Sequence, residues 1–304
     1  MYDIVIIGAG PAGLSAAIYA LRAGKSALVL DEKGYGGQIV NTPEVENYPG
    51  IKQVSGIEFA ANLYEQAKSL GAEVKTERVT GVADADSSVK IVNTGSGFYE
   101  CKAVIIATGA KNRVLGFDGE VRLTGSGVSY CATCDGNFFR GRDVAVIGGG
   151  NTALEDAEVL SGIANKVYLV HRRDAFRGDQ STVNRLRAKE NLEMVLDSVP
   201  VKVVGDMMVA GLEVSNVKTG ESRVLDVQGI FVAAGQVPDN KDFENVAELD
   251  LAGYVAASED CLTKTPGVFT AGDCRTKKVR QLTTAAADGA VAALAASEYI
   301  NQLG

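Results

Sequence analysis

The chain has 304 residues, 46% of them hydrophobic and 22% charged, which is ordinary for a folded protein and long enough for two domains with separate cores. Its formal net charge of -8 disfavours nucleic acid and anionic membranes as partners, because such surfaces are bound through Lys and Arg. No apolar run reaches the roughly 18 residues of a membrane-spanning helix, since the longest, at residues 285–296, is interrupted by Asp288 and Gly289.

The N-terminal segment predicts a β-α-β unit rather than a signal peptide. No basic stretch precedes its apolar residues, so we expect a cytoplasmic protein. Residues 4–7 read as a buried strand, an Ala-rich helix follows to about residue 23, and a second strand is expected at residues 27–30. The turn between the first strand and the helix is Gly8-x-Gly10-x-x-Gly13.

A turn of this kind has a specific use at a pyrophosphate. The first Gly permits the tight bend, the second lets the backbone approach the phosphates, and the third position must be small so that helix and strand pack closely. The N-terminus of the helix then offers N–H groups and the positive end of its dipole. A single copy is weak evidence, because glycines are common between strands and helices.

Two further features complete this first part of the chain. Short strands separated by turns near residues 74–92 predict a small β-meander. Residues 104–109 read as a buried strand that ends in Gly109. We expect this strand to close the domain and to pass under a bound dinucleotide.

Cys131 and Cys134 form a C-x-x-C pair, for which three interpretations compete. Zinc needs four ligands, and the chain has one histidine, His171, and no second cysteine pair, so no metal is expected. A structural disulfide is disfavoured in an intracellular chain. The third interpretation is a redox-active dithiol that exchanges by thiolate attack. Asp135 could exchange a proton with a cysteine, or be a turn residue before Gly136. The isolated cysteines, expected to be inert, are Cys101, Cys261 and Cys274.

The β-α-β pattern then occurs a second time. A strand is expected at residues 144–147, followed by Gly148-x-Gly150-x-x-Ala153, a helix to about residue 160 and a strand at residues 167–170. Two copies in the same strand-turn-helix context are much more specific than one. Together they predict two dinucleotide sites, which would supply electrons to a dithiol.

In each β-α-β unit the second strand ends at the same distance in sequence from the glycine turn, but the residue type at that position differs between the two units. The first ends at Asp31, which, like its neighbour Glu32, can accept hydrogen bonds from a ribose 2′-hydroxyl, as FAD or NAD requires. The second ends in a basic stretch suited to the 2′-phosphate of NADP, although basic residues there could also begin a solvated helix. Its members are His171, Arg172, Arg173 and Arg177.

The C-terminal part predicts a return to the first domain. A second meander is expected at residues 201–227, a strand ending in glycine at 230–235, one more strand at 267–273 and a long helix over 282–303. About 60 residues are too few for a third core. The fold class is therefore α/β, with two Rossmann-like dinucleotide-binding domains, each a three-layer ββα sandwich and one inserted in the other. The first comprises residues 1–113 and 243–304, and the second residues 114–242.

The whole chain resembles the low-molecular-weight bacterial thioredoxin reductases. The resemblance rests on the order and spacing of short motifs, which together are far more specific than any one of them. They are Gly8-Ala9-Gly10-Pro11-Ala12-Gly13, Gly36-Gly37-Gln38, Glu46-Asn47-Tyr48-Pro49-Gly50, Ala107-Thr108-Gly109, Cys131-Ala132-Thr133-Cys134-Asp135, Gly148-Gly149-Gly150-Asn151-Thr152-Ala153, His171-Arg172-Arg173-x-x-x-Arg177, Ala271-Gly272-Asp273 and Arg280-Gln281.

This resemblance implies two cofactors and the residues that bind them. It implies FAD in the discontinuous domain at Gly8, Gly10, Ala12, Gly13, Asp31, Gln38, Asn47, Val82, Gly109, Asp273, Arg280 and Gln281. It implies NADPH in the inserted domain at Gly150, Asn151, Thr152, Ala153, His171, Arg172, Arg173 and Arg177.

The resemblance also implies a relay. Hydride passes from NADPH to FAD, and then electrons pass to the Cys131–Cys134 disulfide and to oxidised thioredoxin. Cys134 faces the flavin, Cys131 attacks the partner disulfide, and Asp135 is the acid-base group. The family is homodimeric and rotates one domain against the other, with joints expected near residues 112–116 and 240–244. Three alternatives stay open: another dithiol partner such as a glutaredoxin-like protein or a peroxidase component, a ferredoxin donor, and a flavin-binding redox sensor without turnover.

Overall fold

The computed structural model describes residues 1–83 and 87–303, which divide into two compact units. The first unit comprises Met1–Lys111 and Val237–Gly304, and the second comprises Asn112–Gln236. The chain therefore passes between the units twice. Within the described ranges, no helix is both long enough and apolar enough to cross a bilayer.

The helices and strands follow the two β-α-β patterns of the sequence. The chain begins with β1 (Tyr2–Ile7), α1 (Pro11–Arg22), β2 (Ala27–Asp31), α2 (Gly56–Ser69), β3 (Glu73–Thr76), β4 (Val79–Ala83), β5 (Lys90–Thr94), β6 (Phe98–Ile106) and β7 (Ala110–Asn112). It continues with β8 (Val128–Ser129), α3 (Ala132–Asp135), β9 (Asp143–Ile147), α4 (Asn151–Ser161), β10 (Lys166–Val170), α5 (Gln180–Arg187), β11 (Leu192–Val195), β12 (Ser198–Val204), β13 (Gly211–Asn216), β14 (Ser222–Leu225), β15 (Gly229–Val232) and β16 (Gln236–Pro238). It ends with β17 (Val268–Thr270) and α6 (Leu282–Gln302).

The first unit has three layers around a parallel sheet of order β3-β2-β1-β6-β17. Successive side chains of a strand point to opposite faces, so each strand contributes to two cores. Ile4 and Ile6 pack with α1 and α6, whereas Val5 and Ile7 pack with residues of β4 and β5. The strands β4 and β5 and the beginning of β6 pair antiparallel and form the third layer.

The second unit repeats this arrangement. Its parallel sheet has the order β11-β10-β9-β15-β8. Val144 and Val146 of β9 pack with α4 and α5, while Ala145 and Ile147 pack with the antiparallel meander β12-β13-β14. The α/β fold class is therefore confirmed, with the helix, parallel-sheet and meander layers present in both units.

Three elements differ from the sequence prediction. Residues 73–76 were expected in the first meander, but β3 pairs in parallel with β2, with Leu28 opposite Glu73, and extends the main sheet. The helices α2 and α5 were not predicted. Ser55 caps α2 by accepting a hydrogen bond from the Glu58 amide at 3.1 Å, and Asp179 caps α5 by accepting from the Ser181 amide.

The C-terminal segment adds to the first sheet and its helix layer. β17 lies beside β6, with Val268 opposite Val104. The long helix α6 packs closely along α1, where a Cβ on Gly289 would lie 2.1 Å from the Ala12 carbonyl oxygen. The Gly289 that interrupts the apolar run is thus required by the close approach of two helices.

Candidate active site

The first glycine turn joins β1, α1 and the end of β6. Gly8 has φ of 111°, and a Cβ there would lie 2.2 Å from the Ala107 carbonyl oxygen. A Cβ on Gly13 would lie 1.8 Å from the Gly8 carbonyl oxygen. Both glycines are therefore fixed by the close contact of strand, turn and helix. Gly10 precedes α1 and has no side chain that could cap the helix. The backbone N–H groups in the first turn of α1 are therefore suited to binding an anion.

Two more segments close around this turn. The Asp31 carboxylate accepts from the Ala9 amide at 2.8 Å with one oxygen and from the Lys33 amide at 2.8 Å with the other. The Gly36 amide donates to the Ala9 carbonyl at 2.8 Å, and a Cβ on Gly37 would lie 3.2 Å from the Cα of Gly10. The end of β2 and the loop before Gln38 thus lie against the glycine turn, as a dinucleotide site requires.

Asp273 follows β17, and one of its carboxyl oxygens, Oδ1, is buried. Its Oδ1 accepts no hydrogen bond from the described residues. Burial raises the pKa of Asp273, although the charges of Lys277 and Arg280 oppose the rise. Since buried polar atoms are nearly always hydrogen-bonded, this oxygen points to a missing donor such as a ligand hydroxyl.

The turn that carries Asp273 is held from behind by a buried ion cluster. Oδ2 of Asp288 accepts from the Gly272 amide at 2.9 Å, from Nε of Arg275 at 2.8 Å and from Nζ of Lys277 at 2.9 Å. Its Oδ1 accepts from Nη2 of Arg275 at 2.8 Å. The side chains of Arg275, Lys277 and Asp288 are only 1%, 4% and 7% exposed.

The other residues expected at FAD lie in several parts of the first unit. Asn47 donates to the Gln281 side chain at 3.1 Å, and the Arg280 guanidinium lies 4.1 Å from the centre of the Tyr254 ring. The side chain of Val82 is buried in β4, and its carbonyl accepts from Asn245. The remaining positions are the exposed Gln38, the buried Ala12 and Gly109, which has φ of 69°.

The second glycine turn is covered by the loop that carries the basic residues. The His171 ring lies so close that a Cβ on Gly149 would be 2.0 Å from its Cε1. The Arg177 amide donates to the Gly149 carbonyl at 2.8 Å. The Asp179 amide donates to Oδ1 of Asn151 at 2.8 Å. The loop is thus bonded to the turn and to the first residue of α4.

The basic residues of this loop differ in their exposure to solvent. Burial lowers the pKa of His171, whose ring stacks on Phe176 with centroids 5.1 Å apart and contacts the Ala175 carbonyl through Nε2. The His171 ring is therefore packed within the loop and against the glycine turn. The side chains of Arg172, Arg173 and Arg177 are exposed. None of these guanidinium groups forms an ion pair within residues 1–83 and 87–303, so their charge is available to an anion.

Cys131 and Cys134 are joined as a disulfide at the start of the short helix α3. Cys131 caps this helix, and its Sγ accepts from the Cys134 amide at 3.2 Å. The Ser129 hydroxyl donates to Oδ2 of Asp135 at 2.5 Å and accepts from the Cys131 amide at 3.1 Å. A donor amide beside a sulfur stabilises its thiolate, which suits this pair to disulfide exchange.

Asp135 follows the disulfide directly and is half-buried, with its Oδ1 inaccessible to solvent. Burial raises the pKa of its carboxyl group, and the hydrogen bond from Ser129 offsets only part of the rise. Its Oδ1 has no partner among the described residues. A carboxyl group that binds protons more readily than usual suits acid-base work beside a thiol.

Two residues of the site were missed by the sequence analysis. Ser129 links Asp135 to Cys131, and Asp288 holds the Gly272 amide. Ser129 carries no motif signal, because its contacts depend on how the chain folds. Asp288 did have a signal, since an acidic residue within an Ala-rich helix must be paired if the helix is buried.

Comparisons with known proteins agree over the whole chain. The model of the pyridine nucleotide-disulphide oxidoreductase family matches residues 2–289. A thioredoxin reductase of Listeria monocytogenes is 41% identical over 304 residues, which cover 100% of this chain and 95% of that protein. A thioredoxin reductase of Treponema pallidum is 42% identical over 303 residues, 99% of this chain and 98% of that protein. The crystal structure of the thioredoxin reductase of Streptococcus pyogenes superposes with a TM-score of 0.95 at 40% identity, covering 99% of both chains.

Proposed function

This chain belongs to the pyridine nucleotide-disulphide oxidoreductase family and resembles its low-molecular-weight thioredoxin reductases throughout, and we propose that it uses NADPH and FAD to reduce thioredoxin. As a member of this family it is an oxidoreductase that acts on a disulfide. The observation that carries the proposal is the Cys131–Cys134 disulfide, with the half-buried Asp135 beside it.

The first unit fits FAD by its own geometry. The glycines at 8 and 13 leave no room for a side chain, and the buried Oδ1 of Asp273 needs a donor from outside the described residues. We propose that these residues, with Asp31 and the other positions expected at FAD, hold that cofactor. When bound, FAD supplies the two-electron chemistry that links a nicotinamide donor to a disulfide.

The second unit fits a nucleotide with a 2′-phosphate. Arg172, Arg173 and Arg177 present exposed charges on the loop that His171 packs against Gly149. Arginine suits a phosphate because its planar guanidinium donates paired hydrogen bonds. We propose that the three arginines bind this phosphate, while Gly150, Asn151, Thr152 and Ala153 hold the pyrophosphate at the start of α4.

The residues around the disulfide then have distinct roles. Cys131 attacks the partner disulfide, its thiolate stabilised by the Cys134 amide. Asp135, held by Ser129, gives and takes the proton of the exchanging thiol. We further propose a cytoplasmic homodimer, as the family resemblance implies.

Anaerobic stopped-flow spectroscopy tests the proposal. The purified protein is mixed with NADPH or with NADH while the flavin absorbance is followed, and oxidised thioredoxin is then added. We expect fast bleaching by NADPH and reoxidation by thioredoxin. Bleaching by NADPH without reoxidation would mean that the protein is a reductase of a disulfide partner other than thioredoxin. A flavin that neither nucleotide bleaches would refute the nicotinamide donor and favour a ferredoxin.

A further inference from the structure

The loop of basic residues carries a carboxylate among its arginines. Asp174 directly follows Arg173 and lies three residues before Arg177, and its side chain is 74% exposed. A carboxylate is a strong partner for a guanidinium group, and such a pair would neutralise the charge that a phosphate needs. The Asp174 carboxylate is instead paired with another part of the second unit, because Nζ of Lys218 donates to its Oδ2 at 3.4 Å.

Lys218 is brought to this loop by the hairpin that joins β13 and β14. The Asn216 side chain accepts from the Lys218 amide at 2.9 Å and from the Thr219 amide at 3.0 Å, which fixes the turn. The Val217 amide donates to the Asp197 carbonyl at 2.7 Å, and Nζ of Lys218 lies 3.0 Å from Oδ2 of Asp197. The ammonium group of Lys218 therefore bridges two carboxylates.

Asp197 is also bonded to the basic loop through its backbone. It has φ of 50°, a left-handed conformation that is uncommon for a residue other than glycine, and its amide donates to the Arg173 carbonyl at 3.2 Å. Such a conformation persists where the surrounding contacts hold it. Because its side chain is only 19% exposed, Asp197 is a fixed anchor for Lys218, whereas Asp174 is the exposed group that the lysine holds.

We propose that Lys218 is a positioning residue that sets the nucleotide specificity, because it keeps Asp174 from pairing with the three arginines of the loop. The inference deepens the proposed function and rests on this loop binding the 2′-phosphate of NADP. None of the three guanidinium groups is paired with a carboxylate in the described part of the chain, as this arrangement requires. A released Asp174 would compete with the phosphate for the same donors.

Calorimetric titration of the flavin-loaded protein with NADP⁺ and with NAD⁺ measures the nucleotide preference without turnover. The variant Lys218→Gln releases the Asp174 carboxylate. We expect its affinity for NADP⁺ to fall roughly two- to fivefold, the scale of an exposed ion pair, and its affinity for NAD⁺ to change little. The difference from the unsubstituted protein should shrink in salt of about 0.5 M, because exposed charges are then screened.

Three further variants identify the cause of the loss. Lys218→Gln combined with Asp174→Asn removes the competing carboxylate together with the lysine, so we expect it to recover the NADP⁺ affinity of the unsubstituted protein. Lys218→Arg keeps the cation and should retain that affinity. Lys202→Gln is the matched control, because Lys202 forms a similarly exposed ion pair with Asp118, at 4.0 Å, and its loss removes the same charge from a pair outside the loop.

Two outcomes would overturn the inference. One is an unchanged affinity of Lys218→Gln for NADP⁺. The other is a loss that Asp174→Asn does not recover, which would show that the charge of Lys218 acts on the nucleotide directly. If the unsubstituted protein binds NADP⁺ no better than NAD⁺, the proposed 2′-phosphate site itself is refuted, and the inference with it.

Discussion

Replacing Asp288 by Asn should destabilise the first unit strongly. The carboxylate accepts four hydrogen bonds, from Gly272, Lys277 and twice from Arg275. The amide of Asn keeps one oxygen and leaves the buried Arg275 and Lys277 without their shared counter-charge. Breaking a buried ion pair from one side costs about 3–5 kcal/mol, so we expect the free energy of unfolding to fall by about 3 kcal/mol.

The assay is urea unfolding followed by circular dichroism and flavin fluorescence. A loss of about 3 kcal/mol should lower the midpoint by about 1 M urea. Glu259→Gln is the matched control, because Glu259 also contacts Arg275, at 3.3 Å, but its side chain is 91% exposed. It should change the midpoint little, since exposed ion pairs contribute little to stability.

The pH dependence provides a second check. Burial opposes the ionisation of Asp288, but the hydrogen bonds from Arg275 and Lys277 prevail and lower its pKa. Because the pKa of Asp288 in the folded state lies below the unfolded value of about 4, the ionised carboxylate stabilises the fold fully above that value. This stabilisation is lost as the pH falls through the pKa of the folded state. The difference between Asp288→Asn and the unsubstituted protein should therefore shrink in acid. If the urea midpoint of Asp288→Asn at neutral pH is as high as that of Glu259→Gln, the reasoning is refuted.

Three further predictions concern the redox pair and the nucleotide loop. Cys134→Ser should leave flavin reduction by NADPH intact and abolish reduction of the dithiol partner, and turnover with thioredoxin would contradict the relay. Arg172→Ala with Arg173→Ala should raise the KM for NADPH by roughly 10- to 100-fold and that for NADH little, because only NADPH carries the 2′-phosphate; equal effects in steady-state kinetics would refute this role. Gly149→Ala should displace the His171 ring, from which the new Cβ would be 2.0 Å, and thereby weaken NADPH binding with a stability loss of about 1–3 kcal/mol; calorimetric titration showing unchanged binding would count against the packing role of that ring.

The two β-α-β units could be predicted because their signals are local. Apolar runs at residues 4–7 and 144–147 give β1 and β9, and the glycine turns after them begin α1 and α4. The glycine pattern can be recognised in the sequence because the strand, the turn and the helix that require it lie within a few residues of one another. The assignment of residues 73–76 to a meander was wrong, because a short strand looks the same whether it pairs in parallel or antiparallel.

The sequence by itself determined the repeated fold, the C-x-x-C pair and the opposite character of Asp31 and the basic stretch from His171. Only the tertiary structure decided that the His171 ring is buried against Gly149 while the arginines stay exposed. It also brought Asp288 to Gly272. Such contacts join residues far apart in the chain, and they form because packed elements bring buried polar groups together, where each must find a partner.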